Sequence, residues 1–455
     1  MSLMVYNSLI RKKELFVPLV PGHAGMYVCG VTVYDLCHVG HGRVMVVFDV
    51  IYRWLRELGF DVNYVRNFTD VDDKIIKRAD ESGMDISALT SAMIDAFYQD
   101  IDALNCLRPT HEPRATMHMD AMIAMIGKLV DQGYAYVAGS GDVLYAVRKF
   151  SGYGQLSGKN IDDLEVGSRV EIDAAKRDPL DFVLWKMAKP GEPAWDSPWG
   201  KGRPGWHIEC SAMSCAHLGE TFDIHGGGMD LRFPHHENEI AQARAANGGG
   251  FARYWLHNGF VNINEEKMSK SLGNFFTLRE VYGKFHPEVL RMFILGTHYR
   301  SPLDFSDTAL ETAKAGLDRL YETRKRIPPD STAEDALPKA FITAMNDDFN
   351  TAEALAVLFE TARSINRRVD AEEDVGEDAA MFLAMCGLLG IVQQDAEEWF
   401  KFGDMDTEKV EKLIAEREQA RKDRDFTRAD AIRDELVSEG VMLEDGAKGT
   451  QWKKI

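Results

Sequence analysis

The stretch "MYVCGVTVYDLCHVGHGR", Met26 to Arg43, decides the fold. Its first ten residues are rich in β-branched and aromatic side chains and read as a strand. "LCHVGHGR" reads as the loop that leaves it. Behind the loop, Val47, Val50, Ile51, Trp54, Leu55 and Leu58 recur at three- and four-residue spacing, which is one face of a helix. Gly59 follows where a helix C-cap is wanted, and "DVNYVRN", Asp61 to Asn67, supplies the next strand. Strand, helix and strand within about 40 residues make a βαβ unit, hence a parallel sheet with a right-handed crossover.

Further along, residues from about 115 to 200 change character. A Met- and Ala-rich helical stretch gives way to "GYAYVAGSGDVLYAV", read as short strands, and then to a loop rich in Gly, Pro and Trp, "KPGEPAWDSPWGKGRPGW". This reads as an insertion into the α/β domain. Helix and strand alternate again from "WHIECSAMSCAHLG" to about residue 262, and residues 311–400 read as mostly helical. After a linker near 395–406, Val410, Leu413, Ile414 and Arg417 share a helix face. Thr427 and Asp430 look like the cap of a second helix, which Gly440 closes. "VMLEDGAKGTQWKK" reads as a hairpin.

Composition sets the bounds. A chain of 455 residues, 45% hydrophobic and 27% charged, is long enough for several domains with real cores. Its net charge of −19 argues against passive, charge-driven binding of nucleic acid but allows a local basic face. It carries no apolar run of about 18 residues, the length a membrane span needs. The N-terminal "MSLMVYNSLIRKKELF" lacks an apolar core with a small-residue cleavage site, so no secretory signal is expected. The six cysteines show no regular framework, and reduced thiols in a cytoplasm are the expectation.

Three short stretches carry chemistry. In "FPHHENE", Phe233 to Glu239, Pro234 suits a first helical turn, which sets His235 and Glu239 four apart on one face. That is half a metal site, and it is also what a polar surface helix looks like. Zinc takes four N, S or O ligands; Cys29, at a carboxyl end of a strand, and Cys210 in "GWHIECS" are candidates for the rest. In "HVGH", His38 to His41, a helix start offers free N–H groups to phosphate and Gly40 allows close approach. In "EEKMSKSLGN", Glu265 to Asn274, two lysines among serines and glycine suit a phosphate clamp, or a solvated basic loop.

"HVGH" and "KMSKS" together resemble the signature pair of class I aminoacyl-tRNA synthetases, with Val39 for the usual isoleucine. Within that class, "YVCGVTVYDLCHVGHGR", "RNFTDVDDKI", "GWHIECSAM", "DIHGGGMDLRFPHHENEIAQ" and "KMSKSLGNF" resemble the cysteinyl-tRNA synthetase family, from about residue 5 to the C-terminus. The resemblance implies a Rossmann-type α/β catalytic domain in two halves, 1–118 and 201–262, around a connective insertion, 119–200. A KMSKS-loop and stem-contact region, 263–310, a tRNA-binding helical bundle, 311–400, and an anticodon-recognition domain, 401–455, would follow.

It also implies roles. Cys29, Cys210, His235 and Glu239 match zinc ligands, while His236 and Glu237 are expected to turn away. His38, Gly40 and His41 match the first ATP signature, and Lys267 and Lys270 the second; His38, His41, Lys267 and Lys270 would be the catalytic groups. Gly226, Gly227, Gly228 and Asp230 fall where such enzymes hold adenosine, and Cys29, Thr69 and Trp206 around the amino acid. Arg428, Arg433 and Trp452, with Lys453 and Lys454, offer cations and a stacking ring for unpaired tRNA bases. The implied reaction joins L-cysteine to tRNA(Cys) through a cysteinyl-adenylate, using ATP with Mg2+ and one zinc ion per chain. The setting implied is a cytoplasmic monomer with no membrane partner.

Two rivals share parts of this pattern. Cysteine:glucosaminyl-inositol ligases of mycothiol synthesis have the zinc and lysine motifs but lack the C-terminal unit. Residues 401–455 are present here, with 12 Lys and Arg against 14 Asp and Glu. A non-catalytic, zinc-stabilised RNA-binding paralogue would be expected to have lost His41 or Lys270, and both are present.

Overall fold

The computed structural model describes residues 2–161, 176–263, 266–268, 275–328, 337–401, 407–438, 440–446 and 449–454. They form two packed units. The first is Met1–Leu278 with Ile294–Ser306 and Lys339–Leu355; the second is Arg279–Phe293, Asp307–Pro338 and Ala356–Ile455.

The first unit begins with an antiparallel ribbon, β1 (Met4–Asn7) and β2 (Lys12–Leu15). The βαβ unit follows as β3 (His23–Thr32), α1 (Val39–Glu57) and β4 (Asp61–Thr69), with the strands parallel. Val47, Val50, Ile51, Trp54 and Leu55 are buried as their spacing predicts. Gly59 takes φ +85° just past the helix, a conformation that costs a side chain and suits glycine. One expectation fails. "HVGHGR" is the first turn of α1, not loop, because the two histidines cap the helix: the His41 N–H donates to His38 Nδ1 and the His38 N–H to His41 Nδ1, both at 3.3 Å.

Helices α2 (Asp73–Ser82) and α3 (Ile86–Ala103) come next. The insertion consists of α4 (Met119–Asp131) and a four-stranded antiparallel sheet: β5 (Ala135–Val137), β6 (Val143–Tyr145), β7 (Phe182–Met187) and β8 (Gly202–Pro204). Then α5 (Trp206–Leu218), β9 (Phe222–Gly228), α6 (Glu237–Asn247) and β10 (Ala252–Asn258) return to the first sheet.

That sheet is parallel throughout, in the order β10-β9-β3-β4. From β3 the chain moves outward to β4; from β9 it moves outward the other way, to β10. The order therefore reverses between β3 and β9, and such a switch point opens a crevice beyond the carboxyl ends of the strands. Alternation along β3 divides its side chains between the faces. Tyr27 and Cys29 share a core with Met122 of α4, Ile208 of α5 and Ile240 of α6.

The register of β3 on β4 shifts between Val28 and Val31, so β3 carries an extra residue next to Cys29. Gly30 stands there because a Cβ would fall 1.6 Å from the Asn67 carbonyl oxygen. Its N–H donates instead to Asn67 Oδ1 at 2.9 Å. Beyond β10, β11 (Val261–Ile263) pairs antiparallel with β12 (Glu266–Lys267) and parallel with Leu303–Asp304. The buried Arg43 of α1 ties this edge down, donating to the carbonyls of Phe260 at 2.8 Å, Tyr299 at 3.1 Å and Ser301.

The second unit is largely helical, with Asp307–Arg326 and Gly376–Leu389 among its longer elements. Toward its end lie helices Thr407–Lys422 and Phe426–Ser438 and an antiparallel hairpin, Val441–Gly446 with Gly449–Lys454. The second helix is capped by Asp425, whose Oδ1 accepts the Arg428 N–H at 3.0 Å, two residues ahead of the expected Thr427. Val410, Ile414, Ile432, Leu436, Val441 and Trp452 form its small core.

Candidate active site

Four elements meet at the switch point. Cys29 comes from β3, Cys210 from the second turn of α5, Glu239 from the first turn of α6, and His235 from the irregular turn before it. That turn differs from expectation: the Phe233–Pro234 bond is cis, Phe233 is extended, and α6 begins only at Glu237. His235 and Glu239 still meet, Nε2 to Oε1 at 3.0 Å. Cys29 Sγ lies 3.6 Å from Cys210 Sγ and 3.4 Å from Glu239 Oε1. One donor atom from each of the four lies within 4.8 Å of the others.

A second set, Cys29, His225, His236 and Glu239, satisfies the same limit. His225 Nε2 stands 3.5 Å from Cys29 Sγ and 3.3 Å from Glu239 Oε2. His236, expected to turn away, is thus at the cluster. Glu237 does turn away, accepting the backbone N–H of Ser157 at 2.8 Å.

All of these side chains are buried. Burial pushes the Glu239 carboxyl and the Cys29 thiol well up. The hydrogen bond from Cys29 draws the Cys210 thiol down to about 7. His207, His225 and His236 are held well below the usual imidazole range by burial. Among the described residues, Glu239 Oε2, His225 Nδ1 and His236 Nε2 have no hydrogen-bond partner, which is costly for buried polar atoms. A cation between the donors would complete Glu239 Oε2 and His236 Nε2. Two sulfurs, an imidazole and a carboxylate are the donor types zinc takes, and the outer nitrogens are held: His235 Nδ1 by His207 Nδ1 at 2.8 Å, His236 Nδ1 by His257 Nε2 at 2.9 Å.

Cys29 also lines a cleft of about 340 Å³, with His38, Gly40, His41, Trp206, Gly228 and Asp230. The rings of His38 and His41 stack at 3.7 Å. Since each Nδ1 accepts a backbone N–H, each neutral ring carries its proton on Nε2. Gly40 makes room for this stack, because a Cβ there would meet His38 Cε1 at 2.9 Å. Trp206 covers the cluster, stacked on His235 at 4.2 Å.

Residues 15–315 match the family described as tRNA synthetases class I (C) catalytic domain, residues 340–393 the DALR domain, and residues 407–452 the cysteinyl-tRNA ligase anticodon binding domain. The cysteine–tRNA ligase of Thioalkalivibrio sulfidiphilus is 58% identical over 459 residues, spanning 99% of this chain and 100% of the relative. That of Idiomarina loihiensis is 54% identical over 458 residues, spanning 100% of both. The chain belongs to the cysteine–tRNA ligase family. Among solved structures, Mycobacterium tuberculosis methionyl-tRNA synthetase in complex with methionyl-adenylate has a TM-score of 0.55 at 15% identity, covering 83% of this chain and 91% of its own. The LeuRS of Agrobacterium radiobacter K84 reaches 0.57 at 11%, covering 86% of both chains. These share the class I synthetase fold with this member of the cysteine–tRNA ligase family.

Several expected residues stand elsewhere than in the cleft. Thr69 is turned from it and donates to Glu209 Oε2 at 2.6 Å. Gly226 is a packing glycine, since a Cβ would meet the Phe48 ring at 2.2 Å; one at Gly227 would meet His236 at 2.9 Å. Lys267 lies on β12, and Lys270 is outside the described residues. The largest correction is Trp452. It was expected as an exposed stacking ring but sits in the C-terminal core, its Nε1 donating to Glu411 at 2.9 Å. Arg428 forks onto Glu416 at 2.7 and 2.9 Å, and Arg433 lies 3.7 Å from Asp434. Sequence reasoning missed His225, which precedes the glycines on β9, and Lys74, which lines the cleft. A histidine set directly before the glycine run was the available signal for the first; "DVDDK" offers none for the second.

Proposed function

We propose that this chain activates L-cysteine with MgATP and transfers it to tRNA(Cys), recognising the amino acid through a zinc-bound thiolate. One observation carries the reading: Cys29, Cys210, His235 and Glu239 converge on one centre at the wall of the cleft that holds "HVGH". The substrate carboxylate attacks the α-phosphorus, pyrophosphate leaves, and the 3′-terminal adenosine of the tRNA then accepts the acyl group. The protein supplies mainly position and charge stabilisation. His41 donates from Nε2 to a phosphate oxygen as its charge grows, and the positive dipole end of α1 acts in the same sense. Lys270 belongs to the same clamp in this reading. Trp206 limits the space around the amino-acid side chain.

Serine and cysteine differ by one atom, and an apolar pocket separates such near-isosteres by only about 1–3 kcal/mol. Cys29, Cys210, His235 and Glu239 would hold the zinc, which would supply a centre that favours a thiolate over a hydroxyl, which has no accessible anion. A single chain working in the cytoplasm completes the reading, and all six cysteines are free thiols. Pyrophosphate exchange is the test. Exchange should depend on cysteine and ignore serine, and the acyl group should pass to tRNA, not to glucosaminyl-inositol. Comparable exchange with serine would sink the zinc-thiolate account; acylation of the sugar would favour the ligase.

A further inference from the structure

A second polar pocket of about 390 Å³ lies beside β10, lined by Tyr6, Ser8, Arg11, Arg232, His257 and Arg300 among others. It is separate from the nucleotide cleft, and one turn forms the wall between them: Gly228, Asp230 and Leu231 line the cleft, while Met229 and Arg232 line this pocket. Its charges are unbalanced. Arg300 is neutralised by Asp348 at 2.7 Å and lies 4.2 Å over the Tyr6 ring. Arg232 gives its fork only to neutral carbonyls, Leu156 O at 2.7 Å and Ser157 O at 3.3 Å. The Arg11 side chain has no hydrogen-bond or ion-pair partner among the described residues; its guanidinium lies over Gly158, where a Cβ would fall 1.5 Å from Nη2. Burial and the nearby Arg11 both push the Arg232 pKa down. Among the described residues no carboxylate lines the pocket, in a chain whose net charge is −19. The Glu237 carboxylate acts on Arg232 against the push of Arg11 but forms no ion pair with it among the described residues; two guanidinia facing one cavity repel each other unless an anion joins them, and planar forks of N–H donors suit phosphate oxygens.

We infer that this pocket is a second phosphate site, taking either a free phosphate group or a backbone phosphodiester of RNA. Because Arg232 ends the turn that carries Asp230, an occupant bears on the cleft wall as well. The site is independent of the proposed function, except that the RNA arm of its test assumes tRNA as a partner.

The test uses the full chain. Arg11 has φ +56°, a backbone conformation asparagine tolerates, and sits on an exposed turn, so Arg11→Asn removes the charge with least disturbance. Titration calorimetry with inorganic phosphate should show binding that Arg11→Asn weakens by at least about tenfold, with phosphate-free, cysteine-dependent exchange unchanged. If inorganic phosphate does not bind, the RNA source holds if the log–log salt slope of tRNA affinity falls by about one in Arg11→Asn. Phosphate binding that ignores Arg11→Asn, or no phosphate binding together with an unchanged slope, overturns the site.

Discussion

The donor cluster at the switch point and the C-terminal unit treat polar groups in opposite ways. In the cluster, Cys29, Cys210, His235 and Glu239 are exposed by only 4, 2, 1 and 0%, and neighbouring polar atoms lack partners among the described residues. In the C-terminal unit the core cluster is six apolar side chains, and the charges stand in pairs, that of the buried Arg417 included. Arg417 holds Asp445 with two bonds of 2.9 Å, and Arg421 reaches the same carboxylate at 2.8 Å. The first region spends stability to keep a ligand site ready. The second has a small apolar core whose Arg417, Arg421, Arg428 and Arg433 already have acidic neighbours, so any RNA contact through them must compete with existing ion pairs.

The contrast can be broken at three levels. The largest effect is expected for Cys210→Ala, which removes one of four donors. Bound metal should be lost and cysteine-dependent pyrophosphate exchange should fall by more than about 100-fold, since even outer partners of metal sites matter 10- to 100-fold. ATP binding should survive. Metal analysis with exchange kinetics reads both, and retained exchange in a metal-free variant refutes the cluster's role. Next is Trp452→Ala, a large-to-small change in a buried core. It should destabilise the C-terminal unit by about 3–5 kcal/mol and abolish tRNA charging while leaving cysteine-dependent exchange intact. Loss of exchange would show that the two regions are not energetically separate.

The smallest effect concerns pH. The hydrogen bonds from Arg417 hold the Asp445 carboxyl below the usual carboxylate range. A depressed carboxyl contributes stability above its unfolded value, near about pH 4, and loses it as the pH falls below that. Asp445 is partly exposed, so the contribution is under about 1 kcal/mol. Asp445→Asn should flatten the acid limb of the C-terminal unfolding curve and leave stability above pH 4 lower by that small amount.

Much of this was legible in the chain. The βαβ unit followed from a 3.6-residue rhythm between two β-branched runs, and the hairpin from its turn residues. The start of α1 was hidden because side-chain caps leave no apolar rhythm: His38 and His41 cap a first turn in which Val39 is the one apolar side chain among glycines and histidine. Trp452 was misjudged because an aromatic ring among lysines looks exposed until the opposite helices are seen to enclose it.

Local spacing determined which residues share a helix face, which is why His235 and Glu239 were paired in advance. Only the tertiary structure decided that Cys29 meets Cys210, 181 positions away, and Glu239, 210 positions away. It also brought His225 and His236 to the same point. The physical reason lies in the order of the sheet: β3 and β9 come from distant parts of the chain yet lie side by side, and α5 and α6 converge on their face. Pairings of that kind depend on which strands hydrogen-bond to one another, and no short-range pattern in the sequence encodes that.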